Sequence, residues 1–198
     1  MRIISGKFKK RRLYAVPGRS TRPTTDFNRE MLFSAYQDYE GKRVLDLYAG
    51  TGSFGLEALS RGAVWVDFVE FASPAIATIL ANIKLLNCAD ECHIYRKKVL
   101  PFLHDCKQQY DIIFLDPPYA RDLINPTLAA IYQESILRED GVIIVEHSKQ
   151  EAIKEAFTCK LIKQKTGKTA SFSWLSGQDI LSESESPLPQ NNYGEVDE

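Results

Sequence analysis

Residues 1–25 contain no acidic side chain, and residues 179–198 contain no basic one. The chain's net charge of −1 hides this polarity. Arg2, Lys7, Lys9, Lys10, Arg11, Arg12, Arg19 and Arg22 crowd the first segment. Asp179, Glu183, Glu185, Glu195, Asp197 and Glu198 fall in the last. A basic block without acids is the footprint of a polyanion partner such as nucleic acid. Other absences narrow the field. No apolar run approaches the roughly 20 residues that span a bilayer. Met1-Arg2-Ile3-Ile4 runs into charge rather than an apolar export segment. No membrane association is expected, and a cytoplasmic location is. Cys88, Cys92, Cys106 and Cys159 lack paired C-x-x-C spacing, and His93, His104 and His147 are scattered. Reduced thiols and no metal site are expected.

What is present fits one globular domain with a sizeable core: 198 residues, 44% hydrophobic and 26% charged. Apolar strand patterns near 43–48, 64–70, 92–96, 110–115 and 141–147 alternate with helical patterns at 53–61, 73–87, 122–136 and 149–156. Alternation of this kind predicts an α/β fold with a parallel, doubly wound sheet. The stretches 158–165 and 169–176 have no helix between them and read as an antiparallel edge hairpin. Residues 2–16 predict a small hairpin-like extension. Thr24-Thr25-Asp26 offers caps for a helix through Phe33. The expected layout is a basic extension over 1–30, a main domain over 31–178 and an acidic tail over 179–198. The tail beyond 182 lacks apolar periodicity and is expected to be disordered.

Asp116-Pro117-Pro118-Tyr119 is the most informative motif. It follows the apolar run Tyr110–Leu115, a predicted parallel strand, at the end where open α/β sheets bind ligands. The prolines stiffen the turn and leave its carbonyls free to accept. An acid, rigid carbonyls and an aromatic ring in one place suit a planar substrate bearing an NH2 group. Asp116 and the Pro117 carbonyl are expected to accept from the amine, and Tyr119 to stack on the ring.

A second motif is Asp46-Leu47-Tyr48-Ala49-Gly50-Thr51-Gly52-Ser53-Phe54-Gly55, a strand end, a glycine turn and a helix start. Its glycines match G-x-G-x-x-G. Glu70 ends the next predicted strand, 20 residues after Gly50, where an acid can accept both hydroxyls of a ribose. The glycine turn alone does not separate a nicotinamide dinucleotide from S-adenosylmethionine. Asp46, placed to face an ammonium, favours S-adenosylmethionine.

The pairing of Asp46-x-x-x-Gly50-x-Gly52 with Asp116-Pro-Pro-Tyr119 resembles the class I S-adenosylmethionine-dependent methyltransferases that modify exocyclic amines of bases. Arg2–Leu13, Thr21–Asp26 and Arg29–Phe33 narrow this. Over about residues 1–177 the chain resembles the bacterial ribosomal RNA small-subunit methyltransferase D family. The resemblance implies a Rossmann-like, seven-stranded, mostly parallel sheet. It also implies methylation of the N2 amine of a guanine in 16S ribosomal RNA, with the small ribosomal subunit as partner and a monomeric enzyme. Carried onto this chain, the cofactor residues are Asp46, Tyr48, Gly50, Thr51, Gly52, Glu70 and Val99. Asp116, Pro117 and Tyr119 form the catalytic set. Lys7, Lys9, Lys10, Arg11, Arg12 and Arg22 form a phosphate-binding platform expected beside the pocket. Two positions depart from the family's pattern. Lys98 stands where an Asp or Asn often accepts from the adenine amine, so backbone atoms around Val99 are expected to take that role. Thr166-Gly167 replaces a usual Tyr-Gly. The rival readings are an adenine-N6 methyltransferase, a non-catalytic RNA-binding assembly factor and a nicotinamide-dependent dehydrogenase. The basic N-terminal pattern opposes the first, intact Asp116 and Glu70 the second, and Asp116–Tyr119 the third.

Overall fold

The run Tyr110–Leu115 is buried at all six positions, as expected of a strand covered on both faces by helices. It is the middle of one seven-stranded sheet in the computed structural model, which describes residues 1–18, 26–119, 121–167 and 170–179. The strands are β1 (Arg43–Leu47), β2 (Trp65–Glu70), β3 (Cys92–Arg96), β4 (Tyr110–Leu115), β5 (Leu137–His147), β6 (Leu161–Thr166) and β7 (Ser171–Ser176). Their order is β3-β2-β1-β4-β5-β7-β6. The first five run parallel, and β7 lies antiparallel between β5 and the edge strand β6. This is the Rossmann-like, seven-stranded, mostly parallel sheet that the sequence led us to expect, and the expected edge hairpin is β6–β7.

The helices are α1 (Asp26–Ala35), α2 (Ser53–Ser60), α3 (Ser73–Leu86), α4 (Val99–Asp105) and α5 (Ile124–Gln133). One core face joins Leu32 and Phe33 of α1, Leu56 and Leu59 of α2, and Ile79 and Ile83 of α3 to Val44, Phe68, Phe114 and Ile144. The other joins Phe102 and Leu103 of α4 and Leu128 and Ile131 of α5 to Leu45, Ile113 and Ile143. Ile3 and Leu13 of the N-terminal extension are buried in the first face, each contributing roughly 2 kcal/mol. The extension closes on itself through one antiparallel bridge, Arg2 to Arg12. α1 runs across residues 30 and 31, where the sequence reading divided extension from main domain.

Two local expectations fail. No helix forms over 149–154, and a 3₁₀ turn occupies Glu155–Lys160 instead. The residues there have good helix propensity but bury little, and most helical stability comes from burying an apolar face. Conversely, α4 was not among the expected helices, and it carries Pro101. That proline stands in the first turn, where its missing N–H has no helical acceptor to lose. Thr24 and Thr25, Arg19 and Arg22, and the tail beyond Asp179 lie outside the described residues.

Candidate active site

The register between strands lines up four carboxylates on one face of the sheet. Asp46 is level with Phe68 of β2 and Phe114 of β4. Side chains alternate along a strand, so Glu70 and Asp116, two residues further along, emerge on Asp46's face. Leu115 is level with Val145, which places Glu146 beside Asp116. Across β2, β1, β4 and β5 the row is therefore Glu70, Asp46, Asp116, Glu146, all at the carboxyl ends of parallel strands.

Each acid is held by its surroundings. Asp46 is buried, and its Oδ2 accepts from the Gly55 amide at 3.0 Å, in the first turn of α2. Glu70 Oε1 accepts from the amides of Phe71 and Ala72, both at 2.7 Å, at the start of α3. Its Oε2 accepts from the Gly50 amide at 3.0 Å. One carboxylate thus pins the glycine turn to the next strand. Gly52 has φ +73°, and a Cβ there would lie 3.3 Å from Ile79 and Phe68. A Cβ at Gly55 would meet the Phe68 ring at 2.5 Å. Phe54 of α2 stacks on Phe114 of β4 with ring centroids 3.9 Å apart and planes at 7°. This stack fixes the glycine turn against the strand that delivers Asp116.

Burial pushes the Asp46 carboxyl well above the usual range; the Gly55 amide opposes this, while Asp116 and Glu70 add to it. Burial pushes Asp116 up to about 7. Tyr119 is 42% exposed, and its hydroxyl donates to Glu146 Oε1 at 3.4 Å. Pro117 is buried and Pro118 exposed. Tyr48, at φ +58°, shares a hydrogen bond with Thr127 of α5 at 3.0 Å.

Three residues near the site escaped the sequence reading. Asn82 of α3 is fully buried. Its Nδ2 donates to the Thr51 carbonyl of the glycine turn at 3.0 Å and to the Tyr14 carbonyl at 3.3 Å, and its Oδ1 accepts from the Tyr14 amide at 2.7 Å. The N-terminal extension is therefore tied to the glycine turn through one side chain. The only signal for this was a lone amide on an apolar helix face. Phe71, beside Glu70, is 62% exposed, and Lys98 lies 5.4 Å from its ring centroid. Lys98 is the residue before α4, so Val99 is that helix's first residue, its side chain in the core and its amide in the unsatisfied first turn. Glu146 had been read only as part of a strand.

Two members of the basic block, Lys7 and Arg11, lie elsewhere. Lys7 pairs with Glu91, one residue before β3 begins. Arg11 Nη2 donates to the Leu85 carbonyl at 2.9 Å, near the end of α3. α3 starts beside Glu70 and runs back along the sheet for 14 residues, about 20 Å at 1.5 Å per residue. Lys7 and Arg11 thus lie at the end where the strands begin, not beside the carboxylate row. Lys9, Lys10 and Arg12 are exposed. Among the described residues no group of three or more His, Cys, Asp or Glu side chains could hold a metal ion, and no helix is long and apolar enough to cross a membrane.

The family model described as conserved hypothetical protein 95 matches residues 1–174. The chain is similar to the rRNA methyltransferase candidate YlbH of Bacillus subtilis (strain 168), with 41% identity over 159 residues, covering 78% of this chain and 86% of the relative. It is 32% identical over 170 residues to ribosomal RNA small subunit methyltransferase D of Haemophilus influenzae, covering 84% and 88%. Among solved structures it resembles the methyltransferase candidate yhhF of Escherichia coli. The TM-score is 0.78 and the identity 28%, over 89% of this chain and 97% of that one.

Proposed function

This chain belongs to the ribosomal RNA small subunit methyltransferase D family, and on that premise we propose that it methylates the exocyclic N2 amine of a guanine in 16S ribosomal RNA. It is an rRNA methyltransferase, and S-adenosylmethionine is its methyl donor. The observation that carries the finer reading is the position of Asp116-Pro117-Pro118-Tyr119 at the end of β4, on the same face as Asp46 and Glu70.

The residues present fit this donor. Its ammonium and sulfonium are cationic, and a cation offsets the burial and the neighbouring negative charge that raise Asp46. The negative diphosphate of a nicotinamide dinucleotide would meet the same acids. The Gly55 amide, in the turn where a diphosphate would bind, is already donated to Asp46. Asp46 is assigned to the ammonium, Glu70 to the ribose, Gly50, Thr51 and Gly52 to the close backbone approach, Tyr48 to the wall and the Val99 amide to the adenine edge. When bound, the donor supplies an electrophilic methyl group on sulfur.

This chain's own residues supply positioning and electrostatics. The lone pair of guanine N2 is delocalised into the ring. The Asp116 carboxylate and the Pro117 carbonyl accept the two amine hydrogens and aim that lone pair at the methyl. Attack needs no prior deprotonation, because the methylated nitrogen is itself acidic and can then pass its proton to Asp116. Tyr119 stacks on a base lifted from its neighbours.

Two tests follow. Glu70→Ala should weaken S-adenosylmethionine binding by about 10- to 100-fold in calorimetry, since hydrogen bonds to a charged group contribute roughly 1.5–3 kcal/mol. Unchanged affinity would remove Glu70 from the ribose. For RNA, replacing Lys9, Lys10, Arg11 and Arg12 together with Ala should flatten the slope of log affinity against log salt by roughly two to four units. Arg11 sits at the end of α3 away from the carboxylate row, which supports a reading in which the block supplies affinity rather than base choice. An unchanged slope would make the block a solvated arm.

A further inference from the structure

The ends of β2 and β3 bring an exposed ring and an exposed cation together. Glu70, the last residue of β2, is level with Arg96, the last of β3. Phe71 follows Glu70 directly, and Lys98 comes two residues after Arg96. The Lys98 ammonium lies 5.4 Å from the centroid of the Phe71 ring, and both side chains are open to solvent. The proposed pose sends the donor's base to this pair. Asp46 of β1 is assigned to the ammonium and Glu70 of β2 to the ribose, so the donor runs outward across the sheet, and β3 is next in order. The base is bonded to the ribose carbon beside the one bearing the 2′-hydroxyl, so it lies next to Glu70, on the β3 side. Offset-stacked rings stand about 4.5–7 Å apart, centre to centre. A base packed on Phe71 therefore comes within reach of Lys98.

We propose that Lys98 sets the base selectivity of the donor pocket: it donates to a ring nitrogen of the base and leaves the adenine 6-amine in water, so this chain does not read that amine. The inference rests on the assignment of Glu70 to the ribose and adds how the base is recognised. A lysine ammonium has three donors and no acceptor. Adenine offers N1, N3 and N7 as acceptors, and only its amine donates. Arg96, Lys97, Lys98 and Val99, the residues along this edge, supply no side-chain acceptor for the amine. Asp105, at the other end of α4, receives Lys97 at 3.0 Å. The flexible four-carbon stem of Lys98 lets its charge follow the edge of the base.

Calorimetry tests this without turnover. The ligands are S-adenosylhomocysteine and its purine analogue, in which hydrogen replaces only the 6-amine. Wild-type protein should bind the two within about threefold, since an amine left in water exchanges no hydrogen bond on binding. Lys98→Asp places an acceptor at the same edge and should favour the adenine compound at least about tenfold. That ratio is taken within one protein, so a general loss of affinity cancels. Lys98→Ala should weaken both ligands equally, by roughly three- to tenfold, with Tm unchanged because the side chain is exposed. A wild-type preference for adenine beyond about threefold means that another group accepts the amine, and it overturns the inference whether or not a variant folds. So does an Ala variant with full affinity, or an Asp variant as indifferent as wild type. If Glu70→Ala keeps full affinity, the ribose assignment fails and this inference with it. Failure of the Lys98 results alone leaves the ribose assignment standing.

Discussion

Asp116→Ala should lower kcat for RNA methylation by about a thousandfold while leaving S-adenosylmethionine affinity close to that of the wild type. In the proposed reaction the side chain faces the target amine, and removing one preorganised partner of a reacting group costs roughly 10²–10³ in rate. The free enzyme adds a second signature. Burial holds the Asp116 carboxyl at about 7, and only the ionised form can accept both an amine hydrogen and the later proton. Log kcat/KM, which reports the free enzyme, should rise with unit slope to about pH 7 and then level. Asp116→Asn keeps an acceptor carbonyl but cannot titrate. It should retain more activity than the Ala variant and lose this limb. Stability should move the other way. A carboxyl raised from 3.8 to about 7 binds its proton more tightly in the folded protein. Its contribution to folding is fully present below about pH 4 and lost by about pH 7. The apo protein should therefore lose stability over that interval, and the Asn variant should lose less. An Ala variant within tenfold of wild-type turnover would show that Asp116 does not hold the amine.

Glu57→Ala should lower the unfolding free energy by about 3–5 kcal/mol, the usual cost of removing one partner from a buried ion pair. Glu57 is fully buried in α2. Its Oε2 accepts from the Ile4 amide at 2.7 Å and its Oε1 from the Ser5 amide at 3.0 Å. The same carboxylate receives Arg61 Nε at 2.9 Å and Arg29 Nη2 at 3.5 Å, and Arg29 also donates to the Arg2 carbonyl at 2.8 Å. One glutamate thus fastens the extension to the sheet domain. Urea unfolding measures the loss, and limited proteolysis of the variant should cut first within residues 1–14. A change under about 1 kcal/mol would mean that Ile3 and Leu13 alone hold the extension.

The sequence exposed the parts of this protein whose signals are local. Asp116–Tyr119 was legible because two prolines follow an all-apolar strand, and the glycine turn because strand, glycines and helix follow one another within about 20 residues. Glu57, Arg29 and Asn82 were not legible. Their partners, Ile4, Arg2 and Tyr14, lie 27 to 68 residues away, and a lone polar residue in a helix looks like any surface position. Glu146 was hidden for a related reason: only the β4–β5 register sets it beside Asp116. For Lys7 and Arg11 the charge was plain in the sequence but the position was not: Glu91 and the end of α3 hold them away from the carboxyl ends of the strands. At 149–156 helix propensity misled, because almost nothing there packs on the core.

The most direct measurement is radiolabelled methyl transfer from S-adenosylmethionine to purified small ribosomal subunits, followed by digestion of the RNA and identification of the labelled nucleoside. The expected product is N2-methylguanosine from 16S ribosomal RNA, formed by the wild-type protein and lost with Asp116→Ala. Label recovered as N6-methyladenosine, or product formed equally by the Ala variant, would contradict the assignment of this site.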